Sequence, residues 1–294
     1  MTAADAAGRP VPDDPSGAKG TALVTGASSG IGAHYARHLA AEGFDLVLVA
    51  RRAHRLEQLA SELREELGAT VELLVADLAR PDERAPVVER VGRDDLSLLV
   101  NNAGINGYGP FDEADPSVLA QVVELNVTAP TVLARAAVEG MRRRGRGAVV
   151  NVASLLAFAG ALPPDPLPHR AVYAGTKGYV VTFTRTLAAE LRGTGVQVQV
   201  VCPGYTATEF HAAQGLEPVE EGAQDLVTVS ARAMAAEAVV MASLAALGTG
   251  EVVCVPGLDD PAAVERLAEA ELAIRSGSGP ELAVRYRAGG TASG

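Results

Sequence analysis

The stretch that decides the fold is "TALVTGASSGIGAHYARHLAAEG", residues 21–43. "TALVTGA" (21–27) is an apolar run of strand type that leads straight into glycine-rich sequence. "IGAHYARHLAAEG" (31–43) has helical spacing and ends on a glycine. Between them "TGASSGIG" (25–32) sets Gly26, Gly30 and Gly32 where the strand turns into the helix. Glycines permit the tight turn and a close backbone approach to a pyrophosphate, and the helix N-terminus offers unpaired N–H groups to the anion. A glycine-rich loop alone is weak evidence. One that follows a strand and opens a helix is the context in which a phosphate cradle forms. A glycine-rich turn without a ligand is the competing reading.

Outward from this unit, short apolar runs alternate with helical periods. Strand-like runs lie at 45–50, 70–78, 96–104, 147–154, 196–204 and 250–257, and helical patterns at 55–68, 82–91, 116–143, 172–193 and 231–247. With the first strand that makes seven. Continuous Val and Leu runs suit strands covered on both faces. The expected fold is α/β: a single doubly wound (Rossmann-type) domain over residues 20–257, with a seven-stranded, mostly parallel sheet and helices on both faces. Residues 205–230 lack a clean period and read as loop with short helices. Residues 1–19, rich in Pro, Gly, Ala and Asp, read as a disordered leader. Residues 258–294 read as one further helix and a flexible tail.

Charge and composition narrow the partners. The chain has 294 residues, 48% of them apolar, and a formal net charge of −11. That charge argues against nucleic acid and anionic membrane surfaces. No run of eighteen apolar residues suggests a membrane span, and the N-terminus lacks the charged start and apolar middle of a signal peptide. The expected location is the cytoplasm. The basic run "RRRGRG" (142–147) reads as a solvated helix C-terminus, where cations suit the dipole. Cys202 and Cys254 sit in Val-rich runs and read as buried free thiols. No His/Cys/Asp cluster has metal-ligand spacing, so no metal site is expected. The only two lysines are Lys19 and Lys177. Where arginine serves almost everywhere else, a retained lysine hints at a task for a compact, tunable ammonium.

Further motifs follow in order. "NNAG" (101–104) ends the fourth strand, Asn126 stands in "ELNVTAP", Ser154 closes the fifth strand, "YAGTK" spans Tyr173–Lys177, and "PGYTAT" (203–208) follows the sixth strand. Together with the T-G-x-x-x-G-x-G spacing of the first loop, they resemble the short-chain dehydrogenase/reductase family over residues 20–257. The resemblance implies Asn126, Ser154, Tyr173 and Lys177 as the catalytic set. It implies cofactor contacts from Gly26, Ser28, Ser29, Gly30, Ile31 and Gly32, from Asn102, Ala103 and Gly104, and from Pro203, Gly204, Thr206 and Thr208. Asp77 and Leu78 match the family's adenine contacts, although Asp77 could instead cap the segment after it.

By the same resemblance Tyr173 is the general acid in carbonyl reduction and the base in the reverse direction. A free phenol has a pKa of about 10, too high for a base near neutrality. Lys177 lies one helical turn on, on the same face. A cation that close, with the oxidised nicotinamide, favours the phenolate. Lys177 would also hold the nicotinamide ribose, Ser154 the substrate oxygen, and Asn126 a water linking Lys177 to solvent.

The second strand ends "LVLVARR", with Ala50, Arg51 and Arg52 where an NAD site carries an acid for the ribose hydroxyl. An arginine there meets a 2′-phosphate with paired donors, so NADP(H) is expected rather than NAD(H), with Arg51 the first candidate and Arg52 the second. The other reading, a surface arginine, sets a cation at the positive end of a helix dipole with no anion to offset it.

The function expected is an NADP(H)-dependent oxidoreductase interconverting a ketone or aldehyde and an alcohol. The alternatives are a non-redox enzyme of this fold, such as an epimerase or dehalogenase, and a nucleotide-sensing binding protein. The partners implied are a small carbonyl or alcohol substrate and other copies of the chain, as homodimer or homotetramer, through the helices at 116–143 and 172–193. His34, His38 and His54 read as surface or packing residues, with His34 near the cradle. His169 and His211 fall in loops beside the expected cleft. Tyr108, Phe158, Tyr205 and Phe210 are candidates for its wall.

Nineteen residues separate Ser154 from Tyr173, more than is usual in the family. The excess maps to "ALPPDPLPHR" (161–170), whose four prolines block both helix and central strand. It must be a loop, semi-rigid for its length. Lengthening a surface loop costs little, about 0.6 kcal/mol per doubling, so the gap is compatible with one site. Its place beside Ser154 suggests a border of the substrate entrance. Shortening 161–170 to the usual length is expected to change KM or the ranking of a substrate panel and to leave NADPH binding intact; unchanged kinetics across the panel would count against the idea.

Overall fold

The computed structural model describes residues 19–164, 167–208 and 233–287. The expected leader before Lys19, most of the 205–230 loop, Phe210 and His211 lie outside the described residues. The chain divides after Pro256 into two compact units.

The first unit carries the sheet. Its strands are β1 (Thr21–Thr25), β2 (Asp45–Ala50), β3 (Val71–Val75), β4 (Leu96–Asn101), β5 (Gly147–Val152), β6 (Val196–Val201), β7 (Thr206–Ala207), β8 (Met234–Ala235) and β9 (Val253–Cys254). Seven form one sheet in the order β3-β2-β1-β4-β5-β6-β9, with every pairing parallel. β7 and β8 make a separate two-residue parallel bridge. The strand expected over 250–257 is pared to Val253 and Cys254, for Gly250 takes φ 78° and closes a turn.

The strands are covered on both faces, which is why their sequences run apolar without a break. Side chains still alternate. Ala22, Val24, Leu46, Leu48, Leu98 and Val100 enter one core. There they meet Tyr35 and Leu39 of α1 (Gly30–Ala41), Leu56, Leu59 and Leu63 of α2 (Ala53–Leu67), and Val239 and Leu244 of the helix Ala236–Gly248. Leu23, Val47, Val49, Leu99 and Val149 enter the other core. There Val87 and Val91 of α3 (Pro81–Val91) join them, as do Leu133, Ala137 and Met141 of the helix Ala129–Arg144. Each fully buried Leu or Val contributes about 1.5–3 kcal/mol. The chain winds from β1 out to β3, then crosses back to β4 and winds the other way. The connections after β1 and β4 leave on opposite faces, which opens a crevice at the carboxyl ends of those two strands.

The helix expected over 116–143 is continuous from Pro116 to Arg144 but not uniform. It comprises α4 (Pro116–Val123), a π-helical turn over Glu124–Thr128 and α5 (Ala129–Arg144). An ordinary turn would direct the N–H of residue 130 to the carbonyl of Asn126, but residue 130 is proline and has none. By length and composition this helix could cross a membrane. It packs instead on β4 and β5, with Asn126, Leu133 and Met141 buried. The basic run at its end is less solvated than expected. Arg143 and Arg144 both reach Asp94, at 2.9 and 3.1 Å, and Arg144 also donates to the Leu96 carbonyl at 2.6 Å.

Among the described residues the remaining α-helices are α6 (Ala171–Glu190), α7 (Ala236–Gly248) and, in the second unit, α8 (Ala262–Ser276). α7 begins five residues later than its sequence pattern suggests. Cys202 and Cys254 are buried and free.

Candidate active site

The crevice is built by close backbone contacts. Gly26 takes φ 65°, and a Cβ there would lie 2.8 Å from Asn102 Nδ2. A Cβ on Gly32 would run into the carbonyl oxygen of Gly26. The two glycines let α1 start directly behind β1. Asn102 then ties the ends of β1 and β4 together: its Nδ2 donates to the carbonyls of Thr25 (2.9 Å) and Gly26 (3.3 Å). The N–H groups of Asn102 and Ala103 both donate to Thr25 Oγ1, at 2.9 and 3.0 Å. "NNAG" is thus a strut between strands as well as a surface.

Ser29 is the N-cap of α1, yet its side chain caps nothing. Its Oγ accepts from Arg52 Nη2 at 2.7 Å, and Ser28 Oγ accepts from the same guanidinium at 3.0 and 3.2 Å. Arg52 therefore lies against the cradle. Arg51 is exposed and reaches toward Asp77 at 3.9 Å. Asp77 Oδ1 accepts the Ala79 N–H at 3.0 Å, so it does cap the following turn, and it lines the crevice beside Leu78 as well. Thr208 folds over Gly30, where a Cβ would come within 3.0 Å of its Cγ2.

The expected catalytic residues converge despite the long gap. Tyr173 and Lys177 lie in the first two turns of α6 and are both 5% exposed. Ser154 follows β5, caps a 3-10 turn over Leu155–Phe158 through its Oγ, which accepts the Leu156 N–H at 3.2 Å, and its hydroxyl lies close enough to Tyr173 to lower the phenol's pKa. Lys177 Nζ donates to the Val152 carbonyl at 2.9 Å and lies 5.6 Å from the Tyr173 ring centre. Asn126, on the π turn, is locked to Ile105 from both sides: Nδ2 donates to its carbonyl (2.8 Å) and Oδ1 accepts its N–H (3.1 Å). Asn126 Nδ2 also donates to Thr176 Oγ1 at 3.1 Å. A Cβ on Gly104 would come 3.2 Å from Asn126 Oδ1 and 3.5 Å from Lys177 Nζ, so a side chain here would press on Asn126. Tyr108 stands edge-on to Tyr173, with ring centres 5.3 Å apart.

Burial dominates the electrostatics. It raises the Tyr173 pKa above its ordinary value, and the Ser154 hydroxyl opposes this only in part. The phenolate expected from the nearby lysine is therefore not the form that the chain alone favours; the phenol keeps its proton. Burial lowers Lys177 from 10.5 to about 8 and pushes the Cys202 thiol up to about 12.

One cavity of about 660 Å³ joins these parts, a volume that suits a small-molecule site. Gly26, Ser28–Ile31, Arg51, Arg52, Asp77 and Leu78 line it on the β1–β2 side, and Asn102–Gly104 in the middle. Ser154, Tyr173, Lys177, Pro203, Gly204, Thr206 and Thr208 line it beyond, followed by Tyr108 and Tyr205. Other expectations for the cleft need correction. Phe158 is 41% exposed on its 3-10 turn and does not line the cavity. His169 is exposed, and its contribution is its carbonyl, which accepts the Gly109 N–H at 3.1 Å; Leu167 and Pro168 line the cavity instead. His34 lines a separate cleft with Arg37 and Arg55 behind Ser28–Gly30. Among the described residues no group of three His, Cys, Asp or Glu is placed to hold a metal.

Three residues escape a reading of sequence alone. Thr25 and Thr176 stand inside the motifs, yet their partners Asn102 and Asn126 are distant in the chain. Arg170 is buried beside the proline-rich loop; its signal was a lone arginine closing a run of prolines.

Comparison with known proteins points one way. A family model described as short chain dehydrogenase matches residues 20–218. A Streptomyces violaceoruber protein named as a ketoacyl reductase of the granaticin polyketide synthase is 38% identical over 212 residues, covering 71% of this chain and 75% of that one. In two further curated relatives the match spans 61% and 60% of their length. A solved short-chain dehydrogenase from Sphingobium yanoikuyae, in complex with NADPH, superposes with a TM-score of 0.83 at 36% identity, over 91% of this chain and 100% of that one. The bulky-bulky ketone specific alcohol dehydrogenase of Comamonas testosteroni superposes with a TM-score of 0.79 at 33% identity, over 91% and 98%.

The depressed Lys177 pKa carries a signature in stability. The folded state holds this proton less tightly than the unfolded chain, so the proton costs stability below about pH 8, and the cost fades as pH rises toward 10.5. The unfolding free energy of Lys177→Met relative to the parent is expected to fall by on the order of 3 kcal/mol across that window. Urea denaturation at a series of pH values checks this; a difference independent of pH would contradict it.

Proposed function

The chain belongs to the short chain dehydrogenase family and is an oxidoreductase; on that premise we propose that it reduces a ketone to an alcohol with NADPH, using Tyr173 as the acid. The observation that carries this reading is the convergence of Ser154, Tyr173 and Lys177 on a cavity that also holds the glycine cradle and Arg52.

The residues present fit a nicotinamide dinucleotide. The Gly26–Gly32 approach leaves no room for side chains where a pyrophosphate must come near backbone, and α1 keeps its first N–H groups free of a Ser29 cap. The fork of Arg52 with Ser28 and Ser29 offers donors for a 2′-phosphate, and no carboxylate follows β2 to claim a 2′-hydroxyl. The NADPH complex of the Sphingobium relative supports the same choice. When bound, the reduced nicotinamide supplies the hydride.

The chain's own groups supply the rest. Ser154 donates to the substrate oxygen and holds it beside the Tyr173 hydroxyl. Tyr173, kept protonated by burial, gives its proton to that oxygen as negative charge develops there. Lys177, fixed on the Val152 carbonyl, adds a nearby positive charge that steadies the resulting phenolate. Asn126, held by Ile105 and Thr176, keeps the loop after "NNAG" against α6. Residues 20–257 act as the catalytic body in this scheme.

Tyr173→Phe is expected to lower kcat for ketone reduction by about 10²–10⁴-fold while the Kd for NADPH stays near that of the parent; full activity would refute the mechanism. Arg52→Ala is expected to weaken NADPH binding about tenfold or more, as loss of a charge-assisted hydrogen bond implies, and to leave NADH nearly unaffected. Titration calorimetry with both nucleotides reads the difference, and equal losses would remove Arg52 from the phosphate site.

A further inference from the structure

Arg170 stands three residues before Tyr173, at the N-cap of α6, and is only 8% exposed. Its guanidinium donates to four backbone carbonyls. Nη2 reaches those of Ala159 and Leu162, both at 2.8 Å, and Nη1 reaches Pro168 at 3.1 Å and Pro163 at 3.3 Å. All four belong to the chain between Ser154 and Tyr173. A proline-rich segment can pair few of its own carbonyls, because each proline lacks the N–H that would serve one; here the Ala159 carbonyl also accepts the Leu162 N–H at 3.2 Å. The arginine supplies the missing donors from a single planar fork, which the point charge of a lysine cannot do across four sites.

The clamp reaches the cavity by two routes. Leu167 and Pro168, held next to Arg170, line it. His169, between them and Arg170, accepts the Gly109 N–H through its carbonyl. That bond draws in the loop carrying Tyr108, whose ring stands edge-on to Tyr173. On this side the described lining is Tyr108, Leu155, Leu156, Leu167, Pro168 and Tyr205. None of these carries a charge. The two terminal nitrogens of Arg170 are engaged with the carbonyls behind the wall, and its Nε is buried there without a partner among the described residues.

We infer that Arg170 is a positioning residue that fixes this apolar wall against Tyr173, and that the site it shapes takes bulky, uncharged carbonyl compounds in preference to keto acids. The inference rests on the reductase reading above and adds the class of substrate and the residue that enforces it. A carboxylate brought against this wall would lose its hydration without gaining a partner there. A large apolar ketone would gain contact along the wall only while the wall is held in place.

The test uses the full chain with NADPH and three probes: a small aliphatic ketone, a diaryl ketone and an α-keto acid. The parent is expected to favour the diaryl ketone in kcat/KM and to turn over the keto acid least. Arg170→Ala is expected to raise KM for the diaryl ketone about tenfold or more, and for the small ketone about threefold or less, since it is the wall contacts that are lost. Millimolar guanidinium chloride should restore part of the loss. Arg170→Lys, which keeps the charge and most of the stem, should shift KM in the same direction by less, and it decides the matter if the alanine variant does not fold. Hydrogen exchange at the Gly109 amide needs no substrate, and its protection should fall in either variant. Equal losses for both ketones, unchanged Gly109 protection, or a parent that prefers the keto acid would overturn the inference. A parent that reduces no carbonyl compound at all would overturn the reductase reading, while the Gly109 exchange would still decide the clamp.

Discussion

The carbonyl oxygen of Gly26 lies where the Cβ of any other residue at position 32 would have to go. That steric constraint governs the first half of the site. Because α1 can start so close behind β1, the turn is short and its backbone stands bare at the crevice. Asn102 and Thr25 then use the same closeness. Their hydrogen bonds join the ends of β1 and β4 at the point where the winding of the sheet reverses. Arg52 completes the cradle by occupying the hydroxyls of Ser28 and of Ser29, the N-cap of α1.

The second half rests on buried polar groups that are paired with backbone. Lys177 is tied to the end of β5, Asn126 to Ile105, and Arg170 to the proline-rich loop. A buried polar group left unpaired costs about 1–3 kcal/mol, so each pairing holds its segment firmly. The π turn belongs to the same logic. Pro130 denies Asn126 an ordinary helical partner, and the helix adjusts at the point where Asn126 faces Ile105 and Thr176. Burial also sets the chemistry: it keeps the Tyr173 proton on and lightens the hold of Lys177 on its own.

The alternation of strands and helices and the cover on both faces of the sheet were readable from apolar runs and helical periods, since strands covered on both faces leave that trace in composition; the order in which the strands pair was not. The glycine loop was readable because its spacing reports a steric need that no other residue meets. The choice between Arg51 and Arg52 was not. The two are adjacent, and which one turns toward Ser28 and Ser29 depends on how α2 departs from β2. The role of Arg170 was hidden for a similar reason, because its acceptors are backbone carbonyls, which no residue type announces. Phe158 and His169 had suitable chemistry at suitable places in the chain, yet the 3-10 turn and the clamp direct other residues, Leu167 and Pro168, to the cavity.

By itself the sequence determined the α/β class, the strand–loop–helix cradle and the residue types that can carry a proton or a phosphate, because periodicity, glycine spacing and side-chain chemistry are local properties. Only the tertiary structure decided which of those residues meet, which face the cavity and what holds them there. Those outcomes depend on crossings between distant strands, on which of two neighbouring side chains is turned inward, and on hydrogen bonds to backbone atoms that every sequence shares.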